Sequence, residues 1–227
     1  MQGERDNRLR RREVVTGLVI ILATFVYFIS ILFDFDFVSS YATPEEDLGY
    51  LSEQISNQMI SSIAWITTAL VTMVSIPFYL LVFHKRLQTL HFLNGLFLLG
   101  ASLGFLLMGK TGLDLHQAIL QMPAENLQEA DEGLRISLLQ LFRQEQLFRR
   151  VGSSFVGLFA IGLALTRFRI ARFPVFSTGI LLLSGPVLIF FNWYDPDHLI
   201  RTGAMAGIMT GVVVFCVRLI NRGLSAS

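Results

Sequence analysis

Few residues of this chain have the chemistry for a reaction, and they stand at the margins of long apolar runs. Asp195, Asp197 and His198 fall together in the turn Trp193-Tyr-Asp-Pro-Asp-His198. Carboxylate and imidazole side by side suit a divalent metal, which makes these three the metal candidates. Their spacing matches no defined ligand pattern, however, and Asp-Pro-Asp is also a good turn and helix-start sequence. Asp34, Asp36, Asp114 and His116 are further acids and imidazole in neighbouring segments. A haem would need histidines paired deep inside apolar segments, whereas His84, His91, His116 and His198 all lie near segment ends. The chain has no Gly-x-Ser-x-Gly, no Ser/His pair at workable spacing and no glycine-rich phosphate loop. Its one cysteine, Cys216, allows no intramolecular disulfide and no cysteine metal site, and reads as a small packing residue. These residue types and spacings predict no catalytic residue, no enzyme activity and no cofactor.

Two other patterns bear on function. Ser61, Thr68, Thr72 and Ser75 share one helical face. They predict either a polar path for a neutral or lipophilic solute or a set of interhelical hydrogen bonds. Gly203, Gly207 and Gly211 recur at four-residue intervals, and Gly100 and Gly104 repeat the spacing once. Small residues in such a strip let helix backbones approach closely, with a partner helix in the same chain or in another subunit.

The elements that position these residues follow from where the charges are missing. The chain has 227 residues, 53% hydrophobic and 15% charged, with a mean hydropathy of +0.58. A soluble domain averages nearer 25% charged, so the deficit is large. A helix needs about 20 apolar residues to cross a bilayer. Six stretches meet that need, at 14–33, 60–83, 89–109, 151–170, 174–193 and 199–219. They are apolar all round, which argues against a soluble bundle, whose helices show a polar face. The first is too long for the apolar core of a signal peptide and reads as a retained helix. Pro77 and Pro186 fall inside the second and fifth and predict kinks. Trp65, Trp193, Tyr194, Tyr41 and Tyr50 sit where interfacial aromatic residues are expected.

Charge also predicts orientation. One set of segment ends carries 12 of the 18 basic residues, with only Glu4, Asp6 and Glu13 as acids. By the positive-inside rule that set is cytoplasmic, with both termini on it. The expected organisation is a cytoplasmic arginine-rich tail at 1–13, helices 1–3 over 14–109, an extracytoplasmic amphipathic segment at 110–150, helices 4–6 over 151–219, and a cytoplasmic tail at 220–227. In the outer segment, His116–Met122 predicts a short helix ending before Pro123. Leu127, Leu134, Leu138, Leu141 and Phe148 predict a second, amphipathic one. It caps the bundle, lies on the membrane surface or runs straight into the fourth span. The fold class is all-α, a polytopic membrane protein of six transmembrane helices with an extracytoplasmic helical cap and an interior free of formal charge.

This layout resembles a group of small bacterial six-span membrane proteins known only as a domain of unknown function. The resemblance is carried by the long segment before the fourth span, the basic turn Arg167-Phe-Arg-Ile-Ala-Arg-Phe-Pro174, and the run from Asn57 to Lys85. It implies no functional residues, because the group supplies none. The expectation is an integral protein of the plasma membrane (a bacterial inner membrane) that serves as a structural or accessory subunit. Its partners are the lipid bilayer and other membrane subunits or its own copies, and a net charge of +1 predicts no nucleic acid. The alternative is a small carrier or channel for a neutral or lipophilic solute.

Overall fold

The computed structural model of the chain describes residues 2–34, 55–82, 88–121, 132–168, 175–194 and 198–224. Those residues form six helices: α1 (Gln2–Asp34), α2 (Ile55–Val82), α3 (Gln88–Leu120), α4 (Glu132–Phe168), α5 (Val175–Trp193) and α6 (His198–Leu224). All six are long and apolar enough to cross a membrane. Each helix packs on its neighbours in sequence, and α6 closes the circle onto α1.

Specific contacts set the direction of each pair. Thr16 meets the Phe78 carbonyl and Ser30 meets Thr68, so α1 and α2 are antiparallel. Gly104 faces Gly152 while Asn94 faces Gly162, which runs α3 against α4. Gly17, midway along α1, faces Cys216 and Ile220 near the end of α6. The result is an up-and-down ring with the first and last helical residues at one end, called here the hairpin end. It is also the end of the short α2–α3 and α4–α5 connections.

The helices differ in length, and that difference shapes the other end. With 19 residues, α5 spans about 28 Å at 1.5 Å per residue. The 37 residues of α4 span about 55 Å. The indole of Trp193, the last residue of α5, donates to Ser154 Oγ at 2.9 Å, so α4 stands a further 22 residues beyond that level. The last turns of α3 rise beside it, and Leu115 and Ile119 pack on Leu138 and Phe142 in a small separate core. Residues 116–120 of the predicted short helix are the end of α3 instead, and Met122 lies outside the described residues. Lys110 and Asp114 do not interrupt it, because both point outward to the surface. The amphipathic helix runs without a break into the fourth apolar segment. This paired extension is the stalk.

Inside the ring the larger core joins Ile20, Tyr79, Phe159, Leu163, Leu181, Leu188, Ile208 and Phe215, drawn from five helices. A second core holds Tyr27, Trp65, Phe105 and Met108. Trp65 is thus enclosed within the bundle and does not face its outer surface. Its ring lies 4.7 Å from that of Phe105 and 5.7 Å from that of Tyr27. Its apolar neighbours on α1 and α3 enclose it, and a single-helix reading does not contain them. Trp193 and Tyr194 are exposed, whereas Tyr41 and Tyr50 lie outside the described residues.

The outside of the ring is apolar in stripes. Leu18, Leu22, Phe25 and Leu32 face outward on α1, and Phe92, Leu96, Leu99, Leu103 and Leu107 do so on α3. Buried positions, by contrast, include Ser30, Gln58, Ser62, Thr68, Asn94, Ser153, Glu145 and Arg149. Water-soluble proteins distribute polar and large apolar residues the other way round.

Candidate functional site

Two clusters of buried polar groups tie α2 to its neighbours, one to α4 and one to α3. The first lies in the stalk end. Gln58 on α2 donates its side-chain N–H groups to both carboxylate oxygens of Glu145 on α4, each at 3.2 Å. One turn along α4, the Arg149 guanidinium lies 3.6 Å from Glu145 Oε1. Glu145 and Arg149 are only 2% and 4% exposed, so two formal charges are buried between helices in the segment that precedes the fourth apolar run. Sequence reasoning missed them because they precede the fourth apolar run. Their burial comes from α2 and α3, not from their own helix.

A glycine makes this contact possible. A Cβ on Gly112 of α3 would collide with Ser62 Oγ and lie 3.1 Å from Gln58 Nε2. The bare backbone leaves the gap through which Gln58 reaches past α3 to α4. His116, one turn further along α3, is also buried. An ion pair in such a place holds only when its lone pairs and protons are met, since desolvating two charges costs several kcal/mol per ion. Gln58 supplies part of that compensation. The cluster is suited to locking helices together, since the Gln58 amide and the Arg149 guanidinium both face the Glu145 carboxylate.

The second cluster lies deeper. Asn94 Nδ2 donates to the Tyr79 hydroxyl at 2.9 Å, and that hydroxyl stands 3.3 Å from His91 Nδ1. A glycine again makes the room, this time Gly162 on α4, whose missing Cβ space is filled by the Asn94 carboxamide. His91, one of the four histidines near segment ends, hydrogen-bonds to Tyr79, while His84 lies outside the described residues.

The depths of the two clusters differ in a measurable way. Gly185, near the middle of α5, abuts Ile161, so Gly162 sits at about half the height of α5. Glu145 precedes Ser154, the residue level with the end of α5, by nine positions, or about 13 Å. The neutral cluster therefore reaches from the middle of the ring at Gly162 to the first turn of α3 at the hairpin end, and the ionised one lies beyond the opposite end of α5.

The glycine strips have definite partners. Gly207 abuts Ser184, and a Cβ on Gly211 would come within 2.6 Å of Leu181, so both face α5 of the same chain. Gly203 has open space around it. A Cβ on Gly104 would come within 2.7 Å of the Gly152 backbone, and one on Gly100 within 2.8 Å of the Phe155 ring. Sequence spacing missed Gly157 and Gly185, which press α4 and α5 together reciprocally. Neither has a glycine partner four residues away in its own helix to signal it.

The hydroxyl face of α2 is occupied as well. Thr68 Oγ1 lies 2.7 Å from Ser30 Oγ on α1, and Ser75 donates to the Thr72 carbonyl at 2.7 Å. Ser61 is buried and Thr72 partly exposed. Asp195 and Asp197 lie outside the described residues, as does the side chain of His198. Among the described residues, no three histidine, cysteine or acidic side chains come together as a metal site would require.

The fold defines an all-helical protein whose six helices are each long and apolar enough to span a membrane. No protein-family model, curated protein or solved structure matches the chain.

Proposed function

We propose that this chain is an integral protein of the plasma membrane, a non-catalytic scaffold or accessory subunit with both termini in the cytoplasm and the stalk outside. Membrane integration is supported by the apolar stripes on the outside of the ring against the polar groups within. The orientation rests on the excess of arginine and lysine at the hairpin end. The likeness to the six-span family of unknown function belongs to the same reading.

The observation that favours a scaffold over a carrier is how the α2 hydroxyls are used. Thr68 binds Ser30 across the α1–α2 contact and Ser75 binds its own helix, while the ring interior is filled by Phe159, Leu163, Leu181 and Phe215. A solute path along Ser61, Thr68, Thr72 and Ser75 would have to break these contacts. The test is the mass of the particle extracted from its native membrane in mild detergent. A scaffold subunit comes out in a larger complex or as several copies. A lone monomer in every mild detergent, at native abundance, sinks the subunit reading.

A further inference from the structure

Where α4 outruns α5, the face of α4 that α5 covers lower down becomes surface. Ile161, Gly157 and Ser154 of α4 meet α5 through Gly185, Ile189 and Trp193. Steps of three and four residues carry that same face onward through Arg150, Leu147 and Arg143. Arg150 is half-buried, and Leu147 and Arg143 are exposed. Among the described residues, neither Arg143 nor Arg150 has an ion-pair or hydrogen-bond partner. By contrast, their neighbour Arg149 turns inward to Glu145.

The foot of this step is aromatic. Phe190 and Tyr194 stack with ring centroids 5.0 Å apart, and Trp193 beside them is tethered to Ser154. Below them Phe176, Leu183 and Phe190 form an exposed seven-residue stripe down α5. Arg150 stands about 6 Å above the level of Ser154, a height that falls in the headgroup layer if α5 spans the hydrocarbon. Arg143 follows two turns further out on the same face.

We propose that this step binds the headgroup of an anionic phospholipid. Its phosphate pairs with Arg150, Arg143 engages the outer part of the headgroup, and an acyl chain runs along the α5 stripe. Arginine offers a planar fork of donors that fits phosphate, and the aromatic rings sit where rings favour the boundary between apolar and wet surroundings. A free phosphate would use the arginines alone; the apolar stripe beneath them favours a lipid. The inference rests on the membrane reading above.

Trp193 reports directly on the step. In mild detergent, titration with phosphatidylglycerol brominated on its acyl chains should quench Trp193 emission, and brominated phosphatidylcholine should quench it only weakly. Removing an arginine near a membrane surface weakens anionic-lipid binding about fivefold, so Arg143→Gln with Arg150→Gln should raise the half-quenching concentration about thirty-fold. Arg143→Glu alone, at an exposed position, should weaken it while leaving thermal unfolding unchanged. Equal quenching by the two lipids overturns the proposal. So does an unshifted titration in the double variant, or displacement by glycerol phosphate as effective as by lipid. Failure of the membrane reading has its own signature, because the chain would then leave native membranes in alkaline carbonate.

Discussion

The two polar clusters of this ring solve one problem with different chemistry. One ties α2 to α4 and the other ties α2 to α3, and both depend on a glycine, Gly112 in one and Gly162 in the other. Between mid-ring and the hairpin end the groups are an amide, a phenol and an imidazole, all able to stay neutral. Beyond the end of α5 they are a carboxylate, a guanidinium and an amide. On the proposed placement, the neutral cluster lies in the hydrocarbon and the ionised one above it. Charge in the middle of a bilayer is costly by every measure, and the cost falls toward the interface. The chain keeps its buried charges where protein, not lipid, surrounds them.

Breaking the ionised cluster should have the largest effect. Glu145→Ala leaves Arg149 buried without its carboxylate, and should cost about 3–5 kcal/mol, read as a fall in thermal unfolding temperature in detergent. Replacing both residues, as Glu145→Leu with Arg149→Met, should recover most of that loss. If the double variant is no better than Glu145→Ala, the cluster does more than pair charges.

At the neutral cluster, Gly162→Ala should cost about 1–3 kcal/mol, since the new methyl group occupies the space of the Asn94 carboxamide. Gly203→Ala serves as the matched control, with open space around it and no expected loss. Tyr79→Phe keeps the ring against Phe159 and removes only the hydroxyl between Asn94 and His91. The expected loss is about 1–2 kcal/mol for leaving a buried donor unmet. An unchanged stability would mean that Asn94 finds another acceptor.

The smallest effect belongs to the hydroxyl pair between α1 and α2. Ser30→Ala should cost about 0.6 kcal/mol, the average for a hydrogen bond between membrane helices. The same variant sharpens the choice between scaffold and carrier. A scaffold retains its particle mass with Ser30→Ala, whereas a path along the α2 face would change solute flux in vesicles.

The sequence by itself determined the number of long apolar helices, the antiparallel alternation and the uneven distribution of charge. Each is a property of one segment or of its ends, so counting residues along the chain is enough. It also made the Gly207 and Gly211 strip visible, because four-residue spacing marks one helical face. The tertiary structure alone decided what each face meets. Trp65 looks interfacial in its own helix, yet Tyr27 and Phe105 enclose it. Glu145 and Arg149 precede an apolar run and look solvated, yet α2 and α3 bury them. Gly157 and Gly185 carry no helical repeat, yet each presses on the other's carbonyl. Asp195, Asp197 and the side chain of His198, singled out first, lie outside the described residues. The two polar clusters form at Gln58 with Glu145 and at Tyr79 with Asn94, pairs 87 and 15 residues apart in the chain. Periodicity reports which side of a helix is apolar, but whether that side meets lipid, water or another helix depends on how the other five close around it.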